Sequence, residues 1–170
     1  MFKFGNSPKE SAATAIEREL DVLLRVARGM TRNDAQAEDI VSQTVVIAFQ
    51  RWDTFDGRHV RSWLIQVLRN EWLQYLRRAS SRNEVAVDLV AEPSDDGFWK
   101  AVDEKLEAEH ILNHLDQLRE DYRLVIMLCD VEQLSYDDAA RSLNIPMGTL
   151  KNRLFRGRKM LRARLVAQNA

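Results

Sequence analysis

The fold class this sequence predicts is all-α: two small helical domains joined by an acidic linker. Three observations carry the prediction. Apolar residues recur every three or four positions along several segments, the period of a helix with one buried face. Six Gly and three Pro in 170 residues leave little room for a strand-and-turn architecture. Charge is also segregated along the chain: residues 51–82 carry +4, residues 84–109 carry −7 and residues 135–170 carry +6, within a total of −1. The resulting boundaries are 12–80 for the first domain, 81–103 for the linker and 104–166 for the second.

Residues 1–11 are expected to fray. From about Ala12, the residues Ile16, Leu20, Leu23, Leu24, Ala27 and Met30 form the stripe of a first helix, with Gly29 close to its end. Asn33 and Gln36 have the spacing of an N-cap pair. The helix they open has the stripe Ile40, Val41, Thr44, Val45, Ala48, Phe49 and Trp52. The segment WDTFDGRHVRSW breaks the period and holds Gly57, so it reads as a loop. A third helix over about 60–79 buries Leu64, Val67, Leu68, Trp72 and Tyr75 or Leu76. Three amphipathic helices with short connections make a bundle.

The acidic stretch contains Pro93 and Gly97 and has the composition of a linker, although Phe98 and Trp99 are unusual there. Helical pattern resumes near Ala101 and runs to His114 or beyond. A further helix holds Tyr122, Val125, Ile126, Leu128 and Cys129. Ser135 with Asp138 then forms a capping box for a short helix with Ala139, Ala140 and Leu143 on one face. Asn144 suits the left-handed residue that ends a helix, and Pro146 suits the first turn of the next. In that last helix Leu150, Leu154, Gly157 and Leu161 face the scaffold, while Lys151, Asn152, Phe155, Arg156 and Lys159 project from it. A short helix, a tight turn and a basic second helix describe a helix-turn-helix that reads double-stranded DNA.

The first bundle is basic too, and it interleaves aromatic residues with that charge: Trp52, Phe55, Trp63, Trp72 and Tyr75. Arginines with aromatic rings suit unstacked bases. The tryptophans at helical spacing fit a core equally well, so Phe55, in the loop with Arg58 and His59, is the better candidate for a base contact.

Other chemistries find little support. His110 and His114 stand four apart, a zinc-ligand spacing, but zinc needs at least three protein ligands and no matching Cys or His lies nearby. Phosphate-loop and nucleophile motifs are missing, so the chain reads as no enzyme and as needing no cofactor. Cys129 is the sole cysteine and fits a small buried hydrophobe. With no secretory signal and no membrane-length apolar run, the expected place is the cytoplasm.

Two motifs in order, AEDIVSQTVVIAFQRWDTFDGRHVRSWLIQVLRNEWLQYLRR and SYDDAARSLNIPMGTLKNRLFRGRKMLR, resemble an extracytoplasmic-function (ECF) RNA polymerase sigma factor over about residues 12–165. The resemblance implies a first domain like sigma region 2, which holds core RNA polymerase and opens the −10 element. It implies a second domain like sigma region 4, which binds the −35 element as duplex. The implied partners are core polymerase through its beta-prime clamp and beta flap, promoter DNA, and an anti-sigma factor, with no membrane insertion. Carried over by position, Glu38, Asp39, Ser42 and Gln43 meet the clamp. The loop over 53–62, with Phe55, Arg58, His59 and Arg61, captures a −10 base, and Arg69, Asn70 and Arg77 follow on the basic helix. Thr149, Lys151, Asn152, Arg153, Phe155, Arg156, Arg158 and Lys159 form the −35 set. The family usually has Gln-Glu where this chain has Ser42-Gln43, and Ala where it has Gly157, a change worth about 1 kcal/mol of helix propensity.

Two other readings compete. A plain helix-turn-helix transcription regulator accounts for residues 107–165 but leaves the basic, aromatic first bundle without a role. A sigma-mimicking adaptor that sequesters an anti-sigma factor needs no basic recognition helix.

Overall fold

Ser11 Oγ accepts the Thr14 amide at 3.2 Å and so starts α1, Ala12–Thr31. The computed structural model describes residues 10–79 and 108–168. The fraying expected of residues 1–9 and the whole linker 81–103, Phe98 and Trp99 included, therefore lie outside the described residues. Arg32 ends α1 in the left-handed conformation, φ 54. Asn33 follows at once, its side chain accepting the Gln36 amide at 3.0 Å to cap α2, Asp34–Gln50. A 3-10 turn over Trp52–Thr54 and a short loop lead to α3, Val60–Ala79. Together α1, α2 and α3 pack as the expected bundle.

The second half holds α4, Ala108–Asp116, and α5, Glu120–Ile126, which widens into a π turn over Met127–Val131. The helix-turn-helix pair follows as α6, Tyr136–Leu143, and α7, Met147–Gln168. All nine described elements are helical. Cys129 is buried beside Leu128, and burial pushes its thiol pKa up to about 12. No helix among the described residues is long and apolar enough to cross a membrane.

The two halves share one apolar core. Leu23, Val26 and Met30 of α1, Leu64, Leu68 and Trp72 of α3, and Val125, Leu128, Leu150 and Leu154 of the second half belong to a single buried cluster. Each such side chain contributes roughly 1.5–3 kcal/mol through water removal alone. Polar contacts tie the halves as well. Arg123, 1% exposed, donates to the carbonyls of Gly29 and Leu118, and so satisfies acceptors that helix ends leave open. Arg32 donates to the Leu118 carbonyl at 2.6 Å.

Three expected core positions differ. Phe49 is 48% exposed, Tyr75 41% and Leu20 37%. On α2 the buried line is Ala37, Ile40, Val41, Thr44 and Ala48. Phe49 sits about 100° around the helix from Ala48 and joins Val46 on the outer face. Tyr75 instead stacks on Trp72, with centroids 5.4 Å apart, and its hydroxyl accepts from Gln36 Nε2 at 3.1 Å.

Gly157 also acquires a reason. A Cβ there would lie 3.0 Å from Ile126 Cδ1 and 3.2 Å from Tyr122 Cβ, so glycine is what lets α7 lie so close to α5.

Candidate nucleic-acid interface

Local chemistry builds the helix-turn-helix as the sequence indicates. Ser135 Oγ accepts the Asp138 amide at 3.1 Å, and Asp138 Oδ2 lies 2.9 Å from the same hydroxyl. Asn144 closes α6 at φ 51, and the Leu150 amide donates to the Pro146 carbonyl at 3.0 Å in the first turn of α7. Leu150, Leu154 and Leu161 are buried, which fixes how α7 is rotated against α5 and α6.

The eight positions expected to face the −35 element do not share one environment. Lys159 is exposed, and Thr149, Lys151, Phe155 and Arg156 are half-buried. Asn152 and Arg153 are buried, at 3% and 9% exposure. Arg153 Nη1 lies 3.4 Å from Asp121 Oδ1. Arg158 grips Asp130 with two bonds, Nε to Oδ2 at 3.0 Å and Nη2 to Oδ1 at 2.6 Å. Burial opposes the charge on Arg158, but the Asp130 carboxylate outweighs it and the guanidinium pKa is raised. In this arrangement Lys151, Arg156 and Lys159 are the accessible cations of the set.

The loop ahead of α3 is a turn built on Asp56, whose Oδ1 accepts the Arg58 amide at 2.8 Å. Gly57 follows at φ 80 and His59 at φ 52, both left-handed. Phe55 lies between Trp52 and Trp63, with ring centroids 5.0 Å from each, and is half-buried. Phe55, Arg58, His59, Trp63 and Gln66 line a recess of about 430 Å³, and Arg141 of α6 reaches its edge. A recess with rings and arginines suits a flipped base, which stacks on a ring while a guanidinium meets phosphate.

The remaining −10 candidates divide. Asn70 and Arg77 are exposed and share a shallow polar recess with Arg51 and Gln74. Arg61 instead donates to the buried Glu19 carboxylate at 2.6 Å. Arg69 is half-buried at the junction of the two halves. Burial pushes its pKa down, the nearby Arg153 acts in the same direction, and Glu120 and Asp121 oppose both. Arg51, Gln74 and Arg141 were missed by sequence reasoning. Arg51 sat within the counted basic stretch, whereas nothing in the sequence brings Arg141, 82 positions beyond His59, to that recess.

Glu38, Asp39, Ser42 and Gln43 are all exposed on one face of α2. Val46 at 50% and Phe49 at 48% exposure extend that face with apolar surface. His114 is buried, and no group of three metal-capable side chains occurs among the described residues.

A model described as sigma-70 region 2 matches residues 15–82, and one described as sigma-70, region 4 matches residues 109–161. The RNA polymerase sigma-E factor of Streptomyces coelicolor is 31% identical over 154 residues, covering 88% of this chain and 82% of its own length. The ECF RNA polymerase sigma factor SigE of Mycolicibacterium smegmatis is 27% identical over 154 residues; the match covers 86% of this chain and spans 58% of that relative. Among solved structures, the sigma factor RpoE of Bartonella quintana, in complex with the anti-sigma factor NepR, superposes with a TM-score of 0.68 at 25% identity. That match covers 91% of this chain and 96% of the other.

Proposed function

The chain belongs to the ECF RNA polymerase sigma factors, and on that footing we propose that it binds core RNA polymerase and directs promoter recognition and opening. One observation carries the reading. A helix-turn-helix with a basic second helix and an aromatic, arginine-bearing recess on a separate bundle stand on the same chain, giving it one surface for duplex and one for unstacked bases.

The chain supplies binding energy rather than bond chemistry. Lys151 and Arg156 of α7 reach base edges in a major groove while Lys159 neutralises phosphate. The recess beside Phe55 receives a −10 base and offsets an unpairing cost of a few kcal/mol. Arg51, Asn70 and Arg77 follow the backbone beside it. The exposed α2 face from Glu38 to Gln43 meets the polymerase clamp, and the second half meets the beta flap. An anti-sigma factor is a third partner. RNA synthesis remains with the polymerase, so the site of action is the cytoplasm where transcription occurs. The domain boundaries proposed are 12–80 and 104–166, with 81–103 as the link.

The test is run-off transcription on a sheared genomic library with core polymerase, with and without the chain. The expected result is a set of transcripts that requires the chain, together with its co-purification with core. Absence of both rejects the reading.

A further inference from the structure

Four residues from opposite halves meet where α6 crosses the start of α3. His59 Nδ1 lies 3.0 Å from Asp138 Oδ1. Ser62 Oγ donates to the Asp138 carbonyl at 2.9 Å, and Ser142 Oγ lies 3.1 Å from Ser62 Oγ. Ser62 and Ser142 are 2% and 0% exposed, so this is a closed seam and not a grazing contact. Arg141, held by Asp138 at 2.9 Å, is the residue that reaches the rim of the aromatic recess. A second tie lies at the other end, where Arg25 of α1 holds Glu132 through two bonds of 2.7 and 2.9 Å. A third lies between them, where Trp72 Nε1 donates to Glu120 at 3.2 Å.

Promoter geometry is incompatible with that seam. Elements named −10 and −35 are about 25 base pairs apart, which is roughly 80 Å at about 3.4 Å per step. The loop assigned to one element and the first helix of the unit assigned to the other are here in hydrogen-bond contact. The same arrangement buries Asn152 and Arg153 and sets Arg69 and Arg153 beside one pair of carboxylates, Glu120 and Asp121. The α2 face, by contrast, stays open to solvent. The 28 residues from 80 to 107 supply chain enough for separation, at a limit of about 3.3–3.6 Å per residue.

We propose that the contact of α6 with the loop and first turn of α3, through His59, Ser62, Asp138 and Ser142, is an intramolecular clasp that keeps both DNA-reading elements off the promoter until the halves separate. The proposal rests on the sigma-factor reading and adds regulation within the chain itself. Engagement of the α2 face with polymerase is permitted in the clasped form; simultaneous engagement of both promoter elements is not.

The experiment uses the full chain carrying Ser62→Cys and Ser142→Cys, whose side chains are close enough to be bridged. Buried Cys129 stays out of the exchange because its thiol is held protonated. Oxidation should link the pair in the free protein, seen as a mobility shift that a reductant reverses. The oxidised form should bind core polymerase yet give only background transcript from the genomic library, and reduction of the same sample should restore it. The unmodified chain should transcribe alike with and without oxidant. Failure of the bridge to form, or full transcription by the bridged form, overturns the clasp. Loss of core binding on oxidation overturns its assignment to DNA access. Silence of the unmodified chain overturns the sigma reading and the clasp with it, and is recognised because reduction rescues nothing.

Discussion

Arg25 of α1 holds both carboxylate oxygens of Glu132 across 107 residues of sequence, at 2.7 and 2.9 Å. The hydrogen bond raises the arginine pKa, and the Glu132 side chain is only 4% exposed. Hydrogen bonds to charged groups contribute about 1.5–3 kcal/mol when a buried partner depends on them. Arg25→Ala and Glu132→Ala should each destabilise the chain, and the double variant should lose less than their sum by on the order of 1 kcal/mol. Urea denaturation of the three variants measures the difference. Additive losses would mean that the two groups do not support each other.

Glu120 offers a pH test of the same junction. Burial pushes its carboxyl pKa up, against the hydrogen bond from Trp72 that lowers it. A carboxyl raised in the fold contributes stability below its unfolded pKa, near ~4.3, and loses it as pH rises through the higher folded value. Glu120→Gln cannot ionise and keeps an oxygen for Trp72. Its thermal midpoint should equal that of the parent near about pH 4 and exceed it near about pH 7. Parallel pH profiles would remove the desolvation argument.

Gly157→Ala should fail to deliver the ~1 kcal/mol that helix propensity offers. The added methyl meets Tyr122 Cβ at 3.2 Å and the Tyr122 carbonyl at 3.3 Å, neither of which moves without α5. Denaturant midpoints of the two proteins decide the matter, and a gain of the full amount would show that α5 gives way freely.

The face of α2 should act as one polymerase surface with a polar and an apolar part. Asp39→Arg and Phe49→Ser should each weaken binding to core while leaving duplex binding by α7 intact. Both positions are exposed, so stability should stay within about 0.5 kcal/mol of the parent. Unchanged core binding in both variants would move the surface elsewhere.

Contacts of two physical kinds should separate on α7. Arg156→Ala should relax preference at one −35 position by about 1–3 kcal/mol, because a guanidinium matches two acceptors on guanine. Lys159→Ala should weaken all duplexes alike and flatten the salt dependence by about one phosphate contact. Binding to single-base variants at several salt concentrations makes the comparison. Equal weakening of every duplex by Arg156→Ala would make it a phosphate clamp.

Helix ends were legible because caps are local. Ser11, Asn33 and Ser135 each close a bond to the amide three residues on, and Asn144 takes the left-handed turn its chemistry permits. Of the caps, Ser11 alone went unread, lying in a stretch expected to fray. Rotation of α2 was less legible, since more apolar residues line it than one face can bury, and only the packed structure shows Phe49 outside. The site was readable as two surfaces but not as two surfaces in contact. His59 and Asp138 stand 79 positions apart with no shared period or motif, and the seam that joins them depends on two small hydroxyls whose role appears only once they face each other.

Because the loop that would select the −10 sequence also holds α6, a change at His59 or Ser62 alters two traits of the cell at once. One is which genes are switched on; the other is what share of the molecules is available to switch them. Duplicated copies drifting toward new targets would therefore also drift in effective dosage, unless positions 138 and 142 changed in step. Grafting the loop between relatives transfers target choice together with an altered threshold, whereas grafting loop and α6 as a matched set carries the donor's threshold along.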